Sequence, residues 1–166
     1  MGSLDRRSLL RVIGVGGAAG VGAVAMGAPS ASAGPAVRSL VLLSPHLRSS
    51  LRVTHPEVGS SSMLTGDITD ETGAKLGQFH ATRVVLESGP TTELTHLDHH
   101  VFRLADGTLL GSGVSTRSRT IVDSFAVTGG TGVYANARGT YRVRHDDWHM
   151  GGDGSCRFDI DLTKGN

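Results

Sequence analysis

Asp106-Gly107 is the feature that most narrows what this chain can fold into. Asp-Gly supplies the positive backbone angles of a tight primed turn, and here it separates two runs with strand character, residues 94–104 and 108–116. These two runs are predicted to lie antiparallel. The pattern recurs along the chain. Residues 37–43 form an apolar run that Pro45 is expected to end, and residues 48–62, with Pro56, Gly59 and three serines, read as a loop or a short strand. Gly66-Asp67 and Glu71-Thr72-Gly73 read as turns, and residues 76–87 as the longest strand, stopped by Gly89-Pro90. Residues 120–128 alternate in part, and Gly129-Gly130-Thr131-Gly132 is expected to bend the chain. Over residues 138–145, Arg138, Thr140, Arg142 and Arg144 share one face, while Tyr141, Val143 and His145 share the other. In residues 157–162, Phe158, Ile160 and Leu162 alternate with Asp159 and Asp161. Seven or eight short strands, 24 glycines, few helical patterns and no internal repeat indicate an all-β barrel or sandwich.

The N-terminus follows a different logic. Arg6-Arg7 precede a stretch from Leu9 to Met26 that is apolar, rich in glycine and alanine and free of carboxylates, and Ala31-Ser32-Ala33 has the small residues of a cleavage site. Residues 1–33 are expected to be a twin-arginine signal peptide, cleaved after Ala33, leaving 34–166 as the mature domain. An uncleaved membrane anchor is the competing reading, but the glycines make the stretch weakly apolar and barely long enough for a bilayer of roughly 30 Å. The expected destination is periplasmic or extracellular, with membrane contact only during export. Taking Arg6, Arg7, Arg11 and Asp5 from sixteen basic and fifteen acidic side chains leaves thirteen and fourteen. Such a near-neutral domain offers no basic patch for a phosphate backbone, so nucleic acid is not an expected partner. One cysteine, Cys156, can form no internal disulfide.

Residues 123–141, DSFAVTGGTGVYANARGTY, resemble the glycine-turn signature of allene oxide cyclases and dirigent proteins. There a strand ends at Gly-Gly-x-Gly, an aromatic follows, and an Ala-x-Gly element leads out. Upstream, Val58-Gly59 and Asp70-Glu71-Thr72-Gly73 before Leu76-Gly77 are similar to that family's approach to its long strand. Phe102-Arg103-Leu104-Ala105-Asp106-Gly107 is similar to its next hairpin. The resemblance implies a small eight-stranded antiparallel barrel, often trimeric, with an apolar small molecule in its lumen and neither cofactor nor metal. A barrel of that size has room for its own side chains or one small ligand.

The family chemistry does not carry over intact. The cyclases line their cavity with a glutamate on the first strand, a proline on an early loop and a cysteine on the long strand. Here residues 37–43 hold no acid, Met63 stands nearest the proline, and Arg83 takes the cysteine position, where dirigent proteins have tyrosine. An Arg83 pointing inward with Phe79, Ala81 and Val85 could clamp a carboxylate, an enolate or a polarised carbonyl. The alternative is a solvated Arg83 on a shifted or bulged strand. In His96-Leu97-Asp98-His99-His100, strand alternation puts His96, Asp98 and His100 on one face. That set could ligate a metal, but the simpler reading is a solvated polar face. His80 falls out of phase with Arg83, and Trp148, among Asp146, Asp147 and His149, suggests a rim loop. No Gly-x-Ser-x-Gly elbow is present, and Cys156 beside Arg157 lacks an evident base and reads as structural. The ligand-binding candidates are therefore Arg83, Phe79, Val85 and His100. The expected function is an exported barrel that binds a small hydrophobic molecule and steers its isomerisation or stereoselective cyclisation. A non-catalytic ligand-binding or assembly barrel is the alternative.

Overall fold

The computed structural model describes residues 37–50, 56–88, 94–116, 122–146 and 154–164. The expected export segment and Trp148 lie outside them. Eight strands form a closed antiparallel barrel in which each pairs with its chain neighbour and the last closes on the first. They are β1 (Val37–Ser49), β2 (Ser61–Thr69), β3 (Lys75–Ser88) and β4 (Leu94–Leu104), then β5 (Gly107–Thr116), β6 (Asp123–Gly132), β7 (Ala137–Asp146) and β8 (Gly154–Lys164). Alternation decides what faces in: Phe79, Ala81 and Val85 on β3, Tyr141 and Val143 on β7, and Phe158, Ile160 and Leu162 on β8 are all buried.

Local details depart from the sequence reading for identifiable reasons. Pro45 does not end β1. The strand runs on to Ser49, with its register against β8 shifting between Ser44 and Leu47, so the proline sits in a bulge, where its missing N–H costs no ladder bond. Gly66-Asp67 is not a turn but the middle of β2. Glycine is needed there because the bulge brings β1 close: a Cβ on Gly66 would lie 2.5 Å from Ser44 Oγ and 2.8 Å from the His46 carbonyl. The Asp106-Gly107 hairpin forms where expected, but its two loop residues are Ala105 and Asp106, since Gly107 already pairs with Leu104. Asn136 is the only non-glycine with positive φ among the described residues, so this is not a primed Asp-Gly turn. Gly129 to Gly132 stay within β6, and the chain reverses at residues 133–136.

The lumen has two halves. In one, rings from five strands meet across the barrel axis. Phe79 of β3 lies 4.9 Å from Phe158 of β8, Phe102 of β4 lies 5.0 Å from Phe158, and Phe125 of β6 stacks on Tyr141 of β7 at 5.2 Å between centroids. Leu42, Ile68, Leu109 and Ile160 fill the space around them. The barrel is therefore packed with its own side chains at this end, joined by short turns such as Ala105-Asp106. The other half, where β3 ends and β4 begins, is polar.

Candidate functional site at the polar end of the lumen

Asp98 organises the polar half. It lies in the middle of β4, opposite Arg83 on β3 and Gly113 on β5, and its side chain is fully buried. Arg83 donates from Nε to Asp98 Oδ2 at 3.1 Å, and the Ser115 hydroxyl donates to the same oxygen at 2.9 Å. His100 Nε2 faces that oxygen at 3.6 Å, longer than a formed hydrogen bond. Asp98 Oδ1 has no hydrogen-bond partner among the described residues. Burial pushes the Asp98 carboxyl up, but the His100 imidazole, the Arg83 charge and the Ser115 hydroxyl outweigh it and hold the group below its ordinary value. Asp98 is thus an anion inside the barrel, with Arg83 as its counter-ion.

His100 links this pair to the aromatic half. Its ring lies 4.7 Å from Phe125 and 5.2 Å from Phe79, and its Nδ1 is 2.8 Å from the Tyr141 hydroxyl. Burial lowers the His100 pKa more than Asp98 raises it, so the ring is neutral at pH 7. A neutral ring with Nε2–H toward the carboxylate leaves Nδ1 to accept from the tyrosine O–H. Burial, with the Asp98 charge adding to it, pushes the Tyr141 phenol above its usual range, so it remains a donor. The result is an ordered series of Arg83, Asp98, His100 and Tyr141 running from the polar half into the rings. A Tyr141→Phe variant should lose about 1 kcal/mol of stability in urea unfolding, the worth of one buried hydrogen bond, and no loss would mean that this contact is not formed.

A second pair lies across β7 and β8. His145 and Cys156 are direct partners, with Cys156 Sγ 2.9 Å from His145 Nδ1. Burial and the Arg83 charge push His145 down to about 4. Asp123, buried near the mouth, accepts from the Thr116 N–H at 3.2 Å; burial raises its pKa.

Solved structures resemble this barrel at low sequence identity. A pyocyanin demethylase matches 76% of this chain and 100% of its own, at 17% identity and a TM-score of 0.59. A pterocarpan synthase dirigent protein matches 79% of this chain and 97% of its own, at 13% identity and a TM-score of 0.60. The Diels Alderase AbmU from Streptomyces koyangensis matches 81% of this chain and 71% of its own, at 16% identity and a TM-score of 0.58. The chain has the dirigent-type barrel fold. No protein-family model and no curated protein matches the sequence.

Within this dirigent-type barrel the candidates sort clearly. Arg83 points inward, its side chain 12% exposed, and the solvated alternative is overturned by its bond to Asp98. Phe79 and Val85 share its face, Phe79 within the ring cluster and Val85 opposite His96. The solvated reading of His96, Asp98 and His100 is also overturned: all three are buried and turned inward, while His99 is exposed. The strand is polar on the wrong side for a sheet wet outside, because its lumen face is where its charges are paired. Among the described residues, no group of three histidine, cysteine or carboxylate side chains is placed to hold a metal ion. Cys156 does have a base beside it, His145. Sequence reasoning missed Ser115, Tyr141 and this pair: the Tyr141–His100 contact spans 41 residues of chain, and although Ser115 and Cys156 lie on strands consecutive with those of their partners, the pairing register that brings them together was not legible. The one available signal was phase: Tyr141, Val143 and His145 were already assigned to one face.

Proposed function

We propose that the polar half of the lumen takes a small, mainly apolar molecule bearing a polar oxygen and steers its cyclisation or isomerisation by holding one conformer. The observation that carries this reading is the Arg83–Asp98–His100–Tyr141 series set against an aromatic wall. A fully buried carboxylate oxygen without a partner costs about 1–3 kcal/mol or more, which the fold alone gives no reason to bear. Asp98 Oδ1 is positioned to accept from a ligand O–H or N–H. The Arg83 guanidinium can polarise a carbonyl or steady a developing enolate, and the rings supply a flat apolar surface. Chemistry of this kind draws on preorganisation rather than on a nucleophilic triad. The small-molecule chemistry named for the fold's solved relatives supports the same reading. The chain is proposed to reach its destination by the twin-arginine route, and Arg6→Lys with Arg7→Lys should retain the protein in the cytoplasm on cell fractionation; unchanged export would overturn that route.

Equilibrium dialysis with pyocyanin and with sorbate, two conjugated molecules carrying a polar oxygen, tests the binding claim. One-to-one saturable binding is expected for at least one, weakened tenfold or more by Arg83→Gln, a variant whose fold is checked by circular dichroism. No saturable binding, or binding indifferent to Arg83→Gln, overturns the proposal. Binding without conversion of any diene or enone offered supports the carrier alternative instead.

A further inference from the structure

The mechanism above leaves one nucleophile unused. Cys156 is the chain's sole cysteine, 3% exposed, on the inward side of β8 with Phe158 and Ile160. Each of the two flanking strands sets a polar residue opposite it. From β7, His145 Nδ1 meets Sγ at 2.9 Å. From β1, Ser44 pairs directly with Cys156; it is fully buried, and its hydroxyl has no hydrogen-bond partner among the described residues. Ser44 shares the inward side of β1 with Leu42, and its hydroxyl lies over Gly66 of β2, which has no side chain to cap it. A buried hydroxyl left unsatisfied beside a thiol–imidazole pair is a place for a ligand oxygen.

We propose that Cys156 is a nucleophilic thiol, with His145 as its base, that adds to α,β-unsaturated carbonyl compounds entering the polar half of the lumen. This rests on the reading that small molecules reach that half, and not on which molecule is cyclised or isomerised there. In the step, the Cys156 proton passes to His145 Nδ1 as Sγ bonds to the β-carbon. The alkene π pair shifts to give an enolate, whose oxygen Ser44 can hydrogen-bond. His145 then returns the proton to the α-carbon. The sum is addition of S–H across C=C, with nothing oxidised or reduced by an outside reagent. The imidazole is uncharged at neutral pH and so open to the proton, and because burial and the Arg83 charge weaken it as a base, it takes the thiol proton only as the C–S bond forms and gives it up readily to the α-carbon.

The test is methyl vinyl ketone added to the folded full chain at pH 7.5, followed by intact mass and peptide mapping. One adduct on Cys156 is expected, formed at least tenfold more slowly in His145→Gln and His145→Asn, with circular dichroism confirming the fold of each. Two variants are used so that a folding failure of one leaves the other to decide. An unmodified Cys156 in the native chain that alkylates in urea overturns the proposal. So does an unchanged rate in the folded variants. Because methyl vinyl ketone is so small, adduct formation without pyocyanin or sorbate binding would count against the binding proposal alone. Binding of those probes with an inert Cys156 would count against this one alone.

Discussion

Replacing Arg83 by leucine is expected to lower the unfolding free energy by about 3–5 kcal/mol, the usual cost of stripping one partner from a buried ion pair. The size follows from where the charges are. Asp98 is fully buried and the Arg83 side chain is 12% exposed, so bulk water cannot replace the lost guanidinium. What remains is the Ser115 hydroxyl at 2.9 Å and a neutral imidazole at 3.6 Å, both weak compensation for a negative charge. The Asp98 pKa should therefore move up from its present low position, since the Arg83 charge helps to hold it down. Removing both charges, with Arg83→Leu and Asp98→Leu together, should recover part of the loss, because the orphaned anion is gone. Urea unfolding of the three variants is the measurement. A single Arg83→Leu variant within 1 kcal/mol of the parent would show that the pair is solvated in solution.

How much of this was written in the chain depends on the range of the interaction. Strand alternation is local, and it grouped Phe79 with Val85, Tyr141 with Val143 and Phe158 with Ile160 while leaving open which face lines the lumen; all six are buried. The hairpin at residue 106 was also local, and its existence was legible even though its backbone angles were not. Pro45 and Gly66 misled for a shared reason. Each reads alone as a breaker, but β1 bulges at the first and needs the room left by the second, so the two are one feature split over about twenty residues. His96, Asp98 and His100 misled differently. A polar strand face is ordinarily the wet one. Only the partners on β3, β5 and β7 make it the inner one here, and the chain gives no sign that Arg83 and Ser115 converge on one carboxylate oxygen.

Acid should unfold this barrel earlier than its carboxylates alone would dictate, because folding keeps two imidazoles neutral. His145 is held at about 4 in the fold against 6.5 in the unfolded chain, and His100 is shifted in the same direction. Below pH 6.5 the unfolded state therefore binds more protons than the folded one, and stability falls as pH falls. For His145 the contribution is complete above pH 6.5 and is lost progressively down to about pH 4, a total on the order of 3 kcal/mol. Asp98 has the same sign but acts lower, since its depressed pKa costs stability only once pH drops below its unfolded value of 3.8. Asp123 acts in the opposite sense: its pKa is raised by burial and by the neighbouring Asp98 charge, so its protonation favours the fold as pH falls. It therefore offsets part of the loss. Urea unfolding at pH 7.5, 6.0, 5.0 and 4.5 should then show a decline that starts near pH 6.5, ahead of any carboxylate. His145→Gln, which carries no titrating ring, should remove most of the His145 share of that decline and leave the share of His100. A parent profile flat from pH 7.5 to 4.5 would mean that both imidazoles are reached by water and protons in the folded state, and the buried polar half described here would have to be abandoned.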